Sequence, residues 1–331
     1  MPIPDPSIAR LPAPPVPAPP RPGVALALLL ASVLGLTALP AAAAAQDEAL
    51  PRLLRLPAST RAMALGDAFM TDAGSADAVF YHPGLVSGSA GFGLAVQSWS
   101  GVSTSAHAAA ATDWFDGTVA VGLQTLQYDR AADAPLGAGL AQDPLFQQEA
   151  RGASERVASV AYGREDSGLR WGVSGKVVEQ RLEGEAETAW AMDLGLAREV
   201  GPLTVALSAQ NLGTEMTFGD AGVPLPRRYT LGAGAYGREV GPLDVGFSGS
   251  LRYEEQAEEW IPGAGLEVGY WPVRGRTFVG RVGVQRVPEG EASGVTFGAA
   301  FWGDDLTLEW AWMPFGGAVD DGTHRIGIGW R

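Results

Sequence analysis

Three histidines, His82, His107 and His324, are the only side chains that could act as acid or base near neutral pH without a shifted pKa. His107 falls in an Ala-rich alternating stretch and His324 in the last one. Neither stands in a recognisable arrangement with a nucleophile and an orienting acid, so hydrolase chemistry is not expected. The chain contains no cysteine, which excludes disulfides, thiolate metal sites, a thiol nucleophile and a lipid-anchored N-terminal Cys. No H-E-x-x-H, EF-hand or Walker pattern is present, and GAGAYG at 232–237 has the alternation of a strand. Glu254, Glu255, Glu258 and Glu259 could gather divalent cations or form a solvated external loop; Asp304–Asp305 reads as a turn. The expectation is a non-enzyme without cofactor or bound metal.

Other charges fall at alternating positions. Lys176, the only lysine, shares a face with Arg170, Ser174 and Gln180; Arg281 shares one with Gly283 and Gln285; Glu309 alternates with Leu308 and Trp310. Lys176, Arg281 and Glu309 are therefore candidate lumen-facing residues. They could line a path for solute, or pair with carboxylates such as Asp67 and Asp72, because a buried charge needs a partner whether or not anything passes.

These faces belong to strands. From Gly91 onward short alternating segments are separated by turn residues: Leu243, Val245, Phe247, Leu251 and Tyr253 alternate with polar or small residues, as do Leu203, Val205 and Leu207. Period two is the strand signature. It predicts fourteen strands, near 91–99, 103–112, 117–128, 152–162, 169–181, 187–198, 203–212, 227–236, 243–254, 259–270, 275–287, 291–302, 305–313 and 323–331. Most are nine to thirteen residues long. That suits tilted membrane strands better than the shorter strands of soluble proteins. Connections alternate between tight (DWFD, EVGP, WPVR) and long (129–151, 213–226, 314–322), as in bacterial barrels. Trp99, Trp114, Trp171, Trp260, Trp271 and Trp302 fall near strand ends, where aromatic girdles sit. A soluble sandwich or lipocalin-like barrel also alternates, but these signs together favour an all-β, transmembrane antiparallel barrel.

Composition agrees. Forty-five glycines without a collagen period suggest strand faces turned into a narrow interior. A net charge of −14 argues against a nucleic-acid surface. The N-terminus carries Arg10 and Arg21, an apolar run over 24–39, Pro40 and alanines to Ala45, the order of a secretory signal. Cleavage near Ala45 is expected; the run is short for a retained transmembrane anchor. The division is then 1–45 signal peptide, 46–90 N-terminal segment and 91–331 barrel, exported to the outer membrane.

Residues 51–86 resemble the N-terminal segment of the PorV/PorQ family, within the superfamily of FadL-like outer-membrane transporters. Arg61, Ala62, Leu65, Gly66 and Ala68 fit its first motif; Tyr81, His82 and Pro83 fit its second, with His82 where the family usually has Asn. AQNLGTEMTFGDAGVPLPRRYTLGAG (209–234) and DDGTHRIGIGW (320–330) resemble later family stretches. The resemblance implies that 46–90 is a hatch folded into the lumen, with Arg61, Gly66, Asp67, His82 and Pro83 as its motif. Ile326, Ile328 and Trp330 would be read by the barrel assembly machinery, although Trp330 stands one residue before the last. Expected partners are outer-membrane lipid, that machinery, and either hydrophobic small molecules or a type IX secretion component. Three readings stay open: a secretion-associated barrel, a hatch-gated transporter of hydrophobic compounds such as fatty acids, and a structural barrel. The apolar residues Leu136, Leu140, Leu145 and Phe146 could serve either of the first two.

Overall fold

The computed structural model describes residues 51–71, 74–99, 103–128, 153–182, 185–218, 221–273, 275–286, 294–315 and 318–330. The expected signal segment, Asp72 and the loop carrying Leu136 to Phe146 lie outside the described residues.

Among the described residues sixteen strands follow one another: β1 (Gly91–Trp99), β2 (Ser103–Trp114), β3 (Gly117–Tyr128), β4 (Ser154–Asp166), β5 (Leu169–Leu182), β6 (Glu185–Val200), β7 (Leu203–Gly213), β8 (Met216–Phe218), β9 (Ala221–Val223), β10 (Arg228–Val240), β11 (Leu243–Glu254), β12 (Glu259–Val273), β13 (Arg276–Gln285), β14 (Val295–Trp302), β15 (Leu306–Phe315) and β16 (Ala318–Trp330). Fourteen of them form one closed antiparallel barrel, in which each strand pairs with its sequence neighbours and β16 returns to β1. The closing seam runs from Phe92↔Trp330 to Ser98↔His324. Closure leaves no sheet edge, the condition for placing strands in lipid.

Each barrel strand falls on one of the fourteen alternating segments. Two differences have local causes. β8 and β9 pair with each other inside 213–226, read from the sequence as a loop; three-residue strands are too short for period two to register. β10 and β12 run past their expected ends because bulges, between Ala235 and Arg238 and between Tyr270 and Val273, reset the register and let pairing continue into the turn.

Two-residue connections occur at Phe115–Asp116, Ser167–Gly168, Gly201–Pro202 and Gly241–Pro242, all at one end of the barrel. Ser167 and Gly168 both take positive φ (52° and 76°), the conformation that matches a hairpin turn to the strand twist. The other end carries the long connections after β3 and β7, but β5 and β6, and β15 and β16, are also only two residues apart there, so most of the expected long connection 314–322 belongs to strands. Burial alternates along the strands: in β6, Trp190, Met192, Leu194 and Leu196 are exposed, whereas Ala191, Asp193, Gly195 and Ala197 are buried. Exposed Leu94, Leu123, Leu231, Phe278, Phe297 and Ile326 continue this apolar surface around the barrel. So large a continuous apolar surface is what lipid would cover.

Residues 51–71 and 74–90 form an inner segment. A 3-10 turn at Arg52–Leu54 precedes the short helix α1 (Thr60–Ala64), whose N-cap is Ser59. The helix stops where Gly66 and Asp67 take positive φ (63° and 57°). Two further 3-10 turns follow at Ala76–Phe80 and Pro83–Val86. Leu53, Ala62, Met63, Leu65, Phe69, Val79 and Val86 are almost fully buried. They bury against the inner faces of the barrel strands, and Leu53 also against Met216 and Val223 of the β8–β9 pair.

Candidate functional site

The inner segment fits because the wall is thinned by glycine where the two meet. A Cβ added at Gly265 would stand 2.6 Å from Leu65 Cβ, and one at Gly232 2.6 Å from Met70 Cβ. At Gly122 it would lie 2.5 Å from Phe80, at Gly163 2.6 Å from the Pro83 carbonyl, at Gly195 2.7 Å from the His82 ring and at Gly327 2.7 Å from Thr60. Real Cβ contacts are not that short, so the close approach requires glycine at these positions.

Charge pairs then fix the segment. Arg61, on α1, donates to both Glu267 oxygens on β12, at 2.9 and 2.8 Å. Its guanidinium carbon lies 4.7 Å from the Tyr236 ring centroid and 5.6 Å from that of Trp302. Glu267 also accepts from Arg281 Nε at 2.6 Å, and Arg281 Nη1 donates to Glu309 at 2.8 Å. Arg61, Glu267, Arg281 and Glu309 thus form one ladder joining the inner segment to three strands. Asp67 pairs with Arg252, and Arg55 with Glu254. Glu155 accepts the backbone N–H groups of Arg52 and Leu53 (3.2 and 2.7 Å) and the Tyr128 hydroxyl (3.1 Å).

Gly66 and Pro83 act through the backbone. The Gly66 N–H donates to Thr296 Oγ1 at 3.1 Å, and a side chain at Gly66 would meet Val284. Pro83 starts its 3-10 turn, where a missing N–H costs nothing. His82 is fully buried and neutral. Its Nδ1 accepts from the Leu85 N–H at 3.2 Å, so Nε2 carries the hydrogen and donates to the carbonyls of Leu196 (3.2 Å) and Leu207 (3.1 Å). Burial pushes its pKa down to about 4, against the smaller opposing effect of the two carbonyls. Burial also raises the Tyr81 hydroxyl, with Asp67 adding to the effect; that oxygen accepts from the N–H groups of Ala58 (2.6 Å) and Ser59 (3.0 Å).

Lys176, Arg281 and Glu309 face the lumen, but their partners differ from those expected. Lys176 pairs with Asp193 at 2.7 Å and donates to Asn211 at 3.1 Å. Arg281 takes Glu267 and Glu309. These partners all belong to barrel strands; Asp67 of the inner segment is engaged by Arg252 instead. Ile326, Ile328 and Trp330 lie exposed on the outer face of β16. Trp302 departs from the expected girdle. It shares the inward parity of Thr296 and Gly298 and lies beside both Arg61 and Arg281. His107 is buried on the inner face, edge-on to Phe80. His324 points outward, accepting from the Trp310 indole at 3.3 Å.

Sequence reasoning missed Glu267, Tyr236, Arg252 and Arg325. Glu267 was within reach of parity, since it alternates with Leu266 and Val268. Tyr236 was too, since it shares the parity of the buried Gly232 and Gly234. Arg325 is fully buried and donates to Gln97, whose amide in turn donates to Thr323 at 3.0 Å.

Between the inner segment and the wall lies a cavity of about 380 Å³. Inside, it is lined by Ser59, Arg61, Asp77, His107, Trp302 and Glu309. It also reaches Phe92, Leu94, Ile328 and Trp330, whose side chains belong to the outer face. Gly93, Gly327 and Gly329 form the wall between the two sets. The cavity therefore sits at the tight-turn end, beside the β1–β16 seam.

No family model matches the chain, and no curated protein matches it. Solved structures do. The toluene transporter TodX of Pseudomonas putida is similar with a TM-score of 0.50 at 13% identity, over 81% of this chain and 95% of that one. A TodX variant described as a monoaromatic hydrocarbon channel, the deltaS2 mutant, gives 0.52 at 13% identity, over 84% and 97%. At that identity the likeness is one of fold: the chain shares the barrel architecture of outer-membrane hydrocarbon channels.

Proposed function

We propose that this protein is an outer-membrane channel for small hydrophobic molecules, with residues 46–90 as the hatch that controls passage. The observation that carries the reading is the cavity at the β1–β16 seam. It lies against the inner segment and is bounded by Phe92, Leu94, Ile328 and Trp330, strand residues whose side chains lie on the lipid-facing side of a wall made thin by glycines. A volume of about 380 Å³ falls within the range of small-ligand pockets. The shared fold with TodX supports the same class of cargo. The protein contributes a path and a gate and no bond-making chemistry. The PorV-like accessory role in secretion draws on the sequence resemblance alone, and no feature of the described residues favours it.

Cells whose outer membrane carries this barrel should take up radiolabelled toluene faster than cells without it. A variant with the β1–β16 cavity narrowed, Gly93→Leu, where a Cβ meets only ordinary contacts, should lose the gain while still folding as a heat-modifiable barrel. Equal toluene uptake with and without the intact protein would refute the reading.

A further inference from the structure

Arg61 occupies its place on the wall as a ligand occupies a receptor. Its guanidinium is held by a bidentate carboxylate, Glu267, and lies within 4.7 and 5.6 Å of two aromatic rings, Tyr236 and Trp302. A carboxylate with aromatic faces is the recognition chemistry of organic cations. Every one of these receptor groups belongs to the barrel, whereas Arg61 belongs to the inner segment.

Charge shows what the receptor lacks without Arg61. The ladder holds two carboxylates, Glu267 and Glu309, and two guanidiniums, Arg61 and Arg281. Arg281 is fixed in the wall by both acids, its side chain fully buried. Withdrawing Arg61 therefore leaves one uncompensated negative charge in a buried site, and an uncompensated buried charge is strongly unfavourable. The vacated cage calls for one cation. The 380 Å³ cavity gives it a way in, because Arg61, Trp302 and Glu309 all line that cavity.

We infer that the Glu267–Glu309–Tyr236–Trp302 cage is a binding site for an organic cation of the alkylguanidinium class, which Arg61 of the same chain occupies as an internal competitor. A cation entering from the tight-turn end competes with Arg61 and so loosens the inner segment. The site stands whatever crosses the barrel, since its occupancy is read as binding without transport.

The test is titration calorimetry of ethylguanidinium into the full-length, detergent-solubilised protein. Removing an internal competitor raises apparent affinity by the factor by which it occupied the site. R61A should bind at least about tenfold more tightly than the wild type, and R61A/E267Q should lose that binding. R61A binding no better than the wild type would overturn the inference, and so would R61A/E267Q binding as well as R61A. If R61A does not fold, it is refolded in ethylguanidinium chloride and in equal sodium chloride. Recovery in the first alone supports the site; failure in both overturns it.

Discussion

Replacing Gly265 by alanine should undock the inner segment and leave the barrel standing. The added Cβ would lie 2.6 Å from Leu65 Cβ, 2.7 Å from the Leu65 carbonyl oxygen and 2.8 Å from Leu65 Cδ2. A rotamer change relieves the last contact only, because the first two are fixed to the backbone just after α1. Gly66 cannot absorb the shift either: it is itself pressed against Val284 in a left-handed conformation. Overpacking of this kind costs about 1–3 kcal/mol. At about 2 kcal/mol the ratio of docked to undocked segment falls roughly thirtyfold. The control is Gly280→Ala on β13, where a Cβ meets nothing within 4 Å and φ is ordinary. Both variants should run as heat-modifiable barrels. Limited proteolysis should cut near Arg61 many times faster in Gly265→Ala than in Gly280→Ala or the wild type. If the two variants resist protease equally, glycine thinning does not hold the segment.

Three further outcomes are expected. Leu194→Arg, midway along β6 on the exposed face, should cost about 2–4 kcal/mol of folding stability in lipid, measured by denaturant titration in vesicles. Lys176→Met alone should cost about 3–5 kcal/mol by stranding Asp193, and Lys176→Met with Asp193→Leu should recover most of it in the same titration; a solute-path role predicts no such recovery. Acidification should weaken the fold through His82. Its folded pKa of about 4 lies below the unfolded value of 6.5, so the unfolded chain binds the proton more readily. The neutral ring's contribution is complete above pH 6.5 and is lost as pH falls towards 4, amounting to about 2 kcal/mol by pH 5. His82→Asn should flatten that part of the stability-against-pH curve relative to the wild type.

The barrel was legible in the sequence because a two-sided wall writes itself as period two. One face must be apolar for lipid and the other small or polar for the lumen, so strand number and order follow from alternation. Alternation breaks down where the wall does. The bulge after Ala235 leaves Ala235 buried beside Gly234, against the count. Trp302, at a strand end, looks like a girdle residue until its neighbours are known.

Partner choice was not legible, for a different reason. A lumen charge can reach several strands and the inner segment, and parity gives its direction but not its depth. Lys176 and Asp67 both face the interior, yet Lys176 meets Asp193 on the neighbouring strand while Asp67 meets Arg252. Depth is set by where α1 stops, which the left-handed pair Gly66–Asp67 decides, and by where the wall is thin enough to admit it. The same glycines that look like mere composition in the sequence therefore determine which charges meet. Arg61 can reach the Glu267 cage because Gly265, two residues before it on the same inner face, lets Leu65 lie against the strand.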